Sequence, residues 1–513
     1  MESYFTVMFA FFFLPVTMLV YQLFPVKKRW VVLLVASLIF FWSISGGLIL
    51  FVILSGFMIH YFGLWMENID LQCSSHKEAQ KKKRSVLVFA ICVHIGILVL
   101  CKYTGFLLGN INSLFVWLNI PILIQVPKIG LPIGISFYSL QAVSYCVDVY
   151  RQKIKADHNP LRLLLFLVFF PTIMEGPICR YEQTAYSLWE GKSISYGSLT
   201  FGTQRILWGV FKKLVIADRL NPMVNELFTN YQNYSGGMVC IAMVTYTLQL
   251  YMDFSGTMDV VIGTAEIFGV HLPENFRQPF FSKSIAEFWQ RWHITLGTWF
   301  KDYVFYPVSM SKMAKKITRK TKKKLGYYYA PLVAGSIALF AVWICNGLWH
   351  GSGWHFIFFG LYHFFFILMG NLMLPLLRKY HLQFNHGFLR YLAMIRTTIL
   401  VCIGELIFRA DGLRIALAMI KKMFVDFQFE SLNAQMLSTL HIDMQDILLV
   451  CVSVLIVFVI SVCKEKNVQI RKKVASGPIV LRWTLYYTLI FAVILFGAYG
   501  TGYVPVDPMY ASY

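Results

Sequence analysis

Two histidines set among tryptophans in otherwise apolar sequence are the residues of this chain best suited to chemistry. His293 lies in EFWQRWHITLGTWFKDYVFYP (287–307) and His350 in NGLWHGSGWHFIFFGLYH (346–363). An imidazole titrates near neutral pH and can take a proton from a hydroxyl, or be held neutral for that task by apolar surroundings. An ionisable group inside a bilayer protein is costly, so it marks a functional site by default. The plainer alternative for either ring is a satisfied structural histidine. Arg291, Lys301, Asp302 and Asn346 add polar groups to these same aromatic stretches and favour the functional reading. Trp289, Trp292, Trp299, Trp343, Trp349 and Trp354 are core or interfacial-belt residues by default. Their concentration around the two histidines makes Trp292 and Trp349 candidate pocket walls.

Other groupings are weaker. His350, His355 and His363 have no carboxylate at ligand spacing and no HExxH pattern, so no metal is expected. His355 and His363 read as packing or interfacial histidines. Asp253 and Asp259 bracket Ser255, Gly256 and Thr257, but no GxSxG elbow or strand pattern supports a Ser255 nucleophile. An ion pair of Asp253 with Arg277 or Lys301 is the expected arrangement. Glu266, Glu287 and Asp302 read as helix-pairing charges first and substrate contacts second.

The elements that must position these residues are membrane helices. The chain of 513 residues is 58% hydrophobic and only 14% charged, where soluble domains carry about a quarter charged residues. Apolar runs fall at 4–24, 30–44, 47–66, 85–101, 161–174, 237–251, 328–345, 354–374, 389–408, 446–463 and 479–499. A spanning helix needs about 20 apolar residues, so roughly ten to twelve spans follow, with shorter or re-entrant helices buried among them. The expectation is one all-α, polytopic integral membrane domain over 1–513, arranged around a central tunnel. Its parts are peripheral helices over 1–105, a core over 130–375, further helices over 388–499 and a tail at 500–513. Within the core, Pro132, Gly134, Pro171, Gly176, Pro177, Gly256 and Pro307 interrupt apolar sequence. Broken backbone at membrane depth is tolerated where it lines a cavity or is wrapped by protein.

The net charge of +21 sits in short connections: Lys27 to Arg29, Lys81 to Arg84, Lys312 to Lys324 and Lys464 to Lys473. That pattern points to the lipid bilayer, with anionic headgroups as counter-charge, and not to nucleic acid. The 312–324 loop is also a candidate contact for the phosphates of a cytosolic donor. By alternation the first helix runs outside to inside, its flanks unlike a cleavable signal, and the tail faces outward. The ten cysteines are dispersed without CxxC pairing, which argues against a disulfide framework or thiolate metal site.

Several blocks resemble the membrane-bound O-acyltransferase family, in its bacterial branch of alginate O-acetyltransferase membrane subunits and D-alanyl transfer proteins. They are LPIGISFYSLQAVSYCVDVYR (131–151), FFPTIMEGPICRY (169–181), GVFKKLVIADRL (209–220), DFSGTMDVVIGTAEIFGVHLPENF (253–276), the two histidine blocks and GELIFRA (404–410). Residues 90–410 carry the likeness, and the whole length fits the alginate type. Thr295 stands where a Ser is usual, and Glu175 where a small residue precedes Gly176-Pro177. The resemblance implies that His350 is the catalytic histidine and acts as the base. His293 then orients the acceptor or stabilises the oxyanion, helped by Asn346, with Trp292, Trp349, Lys301, Asp302 and Asp253 as candidate tunnel or substrate residues. It implies an O-acetyltransferase of a multi-pass bacterial cell membrane, acetylating a cell-surface polysaccharide. Acetyl-CoA is the implied donor substrate, reached from the cytosol, with no permanently bound cofactor and an SGNH-like extracytoplasmic partner. Tyr510, in GTGYVPVDPMYASY (500–513), matches a tyrosine near the end of alginate-type relatives and is a candidate acyl shuttle, although Ala511 and Ser512 replace larger neighbours. Three alternatives stand beside this: D-alanyl transfer from a carrier protein to teichoic acid, a transporter or flippase with a His/carboxylate proton relay, and a non-enzymatic scaffold.

Overall fold

A computed structural model describes residues 3–380, 387–428, 430 and 432–499. Its described residues form helices and connecting segments, with no strand among them. They fall into two compact units, one drawn from Met1–Ile206 and Thr257–Pro273, the other from Leu207–Gly256 and Glu274–Val506.

The first unit begins with a π turn, Phe9–Phe13, that runs into α1 (Leu14–Leu23), followed by α2 (Arg29–Ser45), α3 (Ile49–Gln72) and α4 (His76–Trp117). Gly46, at φ +52°, ends α2, since a residue without Cβ adopts that backbone at little cost. Then come α5 (Ile135–Tyr150), α6 (Pro160–Val168) and α7 (Tyr181–Trp189). Asn159 caps α6 by accepting from Leu161 N (3.0 Å) and Arg162 N (3.3 Å), and Pro160 takes the first helical position. The apolar run expected at 161–174 is therefore helical only to Val168. From Phe169 to Arg180 the chain is non-helical and buried throughout. Its backbone finds side-chain partners: Phe170 N donates to Ser37 Oγ (2.9 Å), and the Tyr4 hydroxyl donates to Phe170 O (3.1 Å) while accepting from Met174 N (3.2 Å). Irregular backbone at membrane depth is stable only when satisfied in this way.

Along the chain follow α8 (Tyr196–Val210), a seven-residue π segment at Phe211–Ala217, α9 (Asp218–Thr229) and α10 (Gly236–Ile267). The second unit continues with two short helices, α11 (Ile285–Arg291) and α12 (Ile294–Phe300), then α13 (Tyr306–Ser309). Its long helices are α14 (Lys312–His350), α15 (Trp354–Lys379) and α16 (Gly387–Arg409). α17 (Leu413–Val425), α18 (Ala434–Thr439), α19 (Met444–Glu465), α20 (Ile470–Ala475) and α21 (Ile479–Phe496) complete it. Gly326, at φ +71°, breaks α14 between its basic first part and its apolar remainder. α15 packs on both α14 and α16. Glycines allow the first contact: a Cβ on Gly347 would stand 2.4 Å from Phe356 O, and one on Gly360 would stand 2.3 Å from Trp343 O.

Eight helical segments among the described residues are long and apolar enough to cross a membrane. One of them, Val26–Gln72, joins two expected runs, while Phe9–Leu23 is shorter than the rest. α19 and α21 expose large apolar side chains, such as Leu448 (65%) and Val480 (75%), which lipid covers at no cost and water would not. The chain is a multi-pass helical membrane protein.

Candidate active site

Both histidines belong to the second unit, and Trp349 stands between them. Its ring centroid is 5.5 Å from that of His293 and 4.9 Å from that of His350, edge to face in each case. The two imidazoles are 1% and 4% exposed. A pair 57 positions apart in the chain is thus brought to one aromatic cluster.

His293 is held by its backbone. It precedes α12 with φ +46° and ψ +50°, a left-handed conformation uncommon outside glycine. Asn275 secures this turn. Its carbonyl accepts from Ile294 N (3.0 Å), and its side-chain Oδ1 accepts from Thr295 N (3.1 Å) and Thr295 Oγ1 (2.9 Å). His293 Nδ1 lies 3.4 Å from the same Oδ1. An acceptor at that place assigns the proton to Nδ1 and leaves the lone pair on Nε2. Burial pushes the imidazole down to about 3, so the ring is neutral. The Thr295 hydroxyl does here what a Ser hydroxyl could do equally, which accounts for the departure from the expected residue.

His350 is the last residue of α14, and Asn346 lies one turn before it on the same face. Asn346 is 6% exposed, and its Oδ1 has no hydrogen-bond partner among the described residues. Phe359 and Phe408 meet the His350 ring edge-on at 5.9 and 5.1 Å. On the other side of Phe359 (4.6 Å) is His363, fully buried and enclosed further by Trp289 (4.9 Å) and Trp343 (5.3 Å). Neither His363 ring nitrogen has a partner among the described residues.

The remaining expected residues divide. Trp292 is buried, but against Phe288, Phe276 and Tyr251. Lys301 is exposed, with its ammonium 5.7 Å from the Tyr306 ring, and Asp302 is half-buried. Asp253 pairs neither with Arg277 nor with Lys301. Its partner is Lys213, at 3.1 Å, which also pairs with Asp218 at 2.8 Å. Lys213 lies in the π segment, and its side chain is turned inward, where it is 1% exposed. Burial, the largest influence, lowers the pKa of this ammonium, and Asp253 and Asp218 together outweigh it, so it ends above the ordinary value. The neighbouring Phe254 packs on His293 at 4.9 Å, which ties this buried triad to the site. Ser255 accepts from Lys212 Nζ at 2.9 Å. In the first unit Asp259 pairs with Arg205 at 2.9 Å and Glu175 is fully buried. Glu287 does pair within its helix, with Arg291 at 2.9 Å, and Arg291 reaches Glu465 at 2.8 Å. Tyr510 lies outside the described residues.

Sequence reasoning missed Asn275, Lys213 and the enclosure of His363. Asn275 and Lys213 stand inside recognisable blocks, LPENF and FKKL, but nothing local separates a positioning Asn from a turn Asn. The arrangement offers buried imidazoles beside a buried carboxamide. It suits proton transfer from a hydroxyl.

Residues 114–321 match the membrane-bound O-acyltransferase family, a stretch that includes His293. The chain is 31% identical over 440 residues to a protein of Pseudomonas putida described as probable alginate O-acetylase AlgI, covering 85% of this chain and 83% of the relative. It is 28% identical over 456 residues to a peptidoglycan O-acetyltransferase of Helicobacter pylori, covering 82% and 79%. It is 32% identical over 285 residues to a teichoic acid D-alanyltransferase of Bacillus subtilis, covering 54% and 68%.

Proposed function

Given that this chain belongs to the membrane-bound O-acyltransferase family, we propose that it moves an acetyl group from cytosolic acetyl-CoA to a hydroxyl destined for the outer face of a bacterial inner membrane. The acceptor is a cell-surface polysaccharide, and an SGNH-like extracytoplasmic partner completes delivery. The observation that carries this reading is the pair of buried histidines on either edge of Trp349. A ring nitrogen of His350 removes the acceptor's hydroxyl proton as its oxygen attacks the thioester carbonyl carbon. The tetrahedral intermediate then expels the thiolate. The C–O bond forms, the C–S bond breaks, and the proton held by His350 passes to the leaving sulfur, so alcohol and thioester become ester and thiol. His293, neutral and fixed by Asn275, orients the acceptor. Its Nε2 lone pair suits acceptance of a hydrogen bond from a sugar hydroxyl. A protein-lined tunnel gives thioester and hydroxyl access from opposite sides, and the basic segment at 312–324 faces the donor side. Tyr510 carries the acetyl group onward: its phenol oxygen is the first to displace the thiolate, and a second hydroxyl then takes the acetyl from the phenolic ester and restores the phenol.

The test is thiol release from acetyl-CoA by the purified protein in liposomes, with no carrier protein present. Wild type is expected to turn over. His350→Ala is expected to lose about 10²–10⁴-fold in rate while still eluting as a folded species. His293→Ala is expected to be impaired less completely, because a positioning role leaves residual chemistry. Near-normal turnover in His350→Ala removes that residue from the mechanism. Turnover only with a D-alanyl carrier protein moves the assignment to D-alanyl transfer, a reading that the B. subtilis relative supports.

A further inference from the structure

A carboxyl group is buried beside this cluster that the mechanism above does not use. Glu405, on α16, is 2% exposed, and no hydrogen bond or ion pair reaches it among the described residues. Its helix touches the histidine cluster at two nearby positions. Three residues on, about 60° round the helix, Phe408 packs edge-on against His350 at 5.1 Å. One residue before, Gly404 is so close to His363 that a Cβ there would stand 2.7 Å from Nε2. On the helix wheel Gly404 and Phe408 stand about 40° apart, and Glu405 lies about 60° beyond Phe408, next to the face through which α16 meets the site. As an anion it would be an uncompensated charge in an apolar interior, which is strongly disfavoured. As the acid it carries one O–H donor and has nothing described to donate to. A buried polar group left without a partner lowers stability and asks for a reason. Bound substrate supplies one.

Resting on the acyl-transfer reading, we propose that Glu405 is a catalytic hydrogen-bond donor, whose carboxylic O–H is aimed at the carbonyl oxygen of the acyl thioester. In the ground state that oxygen is a neutral acceptor. As the acceptor's oxygen adds to the carbonyl carbon, the π electrons move onto the carbonyl oxygen, and the hydrogen bond from Glu405 to it strengthens with the growing negative charge. The proton stays on Glu405 throughout, while the hydroxyl proton travels through His350 to the departing sulfur. Neutral carboxylic acids in apolar sites can perform this task.

Gln at position 405 keeps the size and an N–H donor, whereas Leu keeps only the volume. In liposomes with acetyl-CoA, Glu405→Gln is expected to retain turnover within a few-fold of wild type. Glu405→Leu is expected to lose about 10²–10³ in kcat with little change in KM. The melting temperature of Glu405→Leu is expected to equal or exceed that of wild type, because the variant removes an unpaired polar group. Three results overturn the proposal: near wild-type kcat in Glu405→Leu; equal loss in both variants, which would require a carboxylate; or a lowered melting temperature in Glu405→Leu, which would reveal a structural partner. If wild type turns over no acyl thioester, the acyl-transfer reading fails by itself. The melting comparison still reports whether Glu405 burdens the fold.

Discussion

Lys213→Met is the substitution that tests the packing argument most directly. The ammonium lies 2.8 Å from Asp218 and 3.1 Å from Asp253, and the three side chains are 1%, 2% and 5% exposed. Methionine fills nearly the same volume, so the change removes charge and hydrogen bonds without opening a cavity. It leaves two carboxylates facing each other away from water. Breaking a buried ion pair by deleting one partner costs about 3–5 kcal/mol, most of it from the uncompensated charge. At roughly 2–4 °C per kcal/mol for a body of this size, the melting temperature should fall by about 6–20 °C. Tryptophan fluorescence of the purified protein during heating reads this directly. Lys213→Met combined with Asp218→Asn and Asp253→Asn removes all three charges together and should recover most of the loss, because neutral polar groups are cheaper to bury than unpaired ions. A single variant that melts with wild type, or a triple variant that melts no higher than the single, would refute the reasoning. Turnover should fall alongside stability, since Phe254 follows Asp253 and packs on His293.

Three further outcomes are expected. Thr295→Ser should leave acyl transfer near wild type, whereas Thr295→Val, which loses the 2.9 Å bond to Asn275, should reduce kcat, as read by thiol release. A cysteine introduced at Thr321, on a background without reactive native cysteines, should resist an impermeant reagent in intact cells and react in inverted vesicles; labelling from outside would invert the topology. Tyr510→Phe should abolish acetylation of the cell-surface acceptor, and unchanged surface acetylation would leave that tyrosine an interfacial anchor.

Much of this molecule is legible without coordinates because its signals are local. Long apolar runs announce spanning helices wherever the solvent is lipid, and α15, α16, α19 and α21 lie where hydropathy puts them. The two histidine blocks and the ordered neighbouring motifs identify the family, since residue type and short spacing carry that information. Hydropathy, however, does not separate a lipid-facing run from a protein-wrapped one. Residues 161–174 are as apolar as a span, yet α6 stops at Val168 and the rest is irregular and buried.

What only the tertiary structure decided is which distant groups meet. Lys213 and Asp253 stand 40 positions apart, so no helical periodicity links them. Asn275 reaches His293 because the intervening backbone folds back, with Arg277 N donating to Arg291 O at 2.9 Å. Phe359 lies between His350 and His363, where Gly347 and Gly360 let α14 and α15 approach more closely than a Cβ permits. Hydropathy and spacing along one segment report that segment's environment. Partner choice for a buried charge or ring depends on how separate helices pack, and that is settled only when all of them are in place.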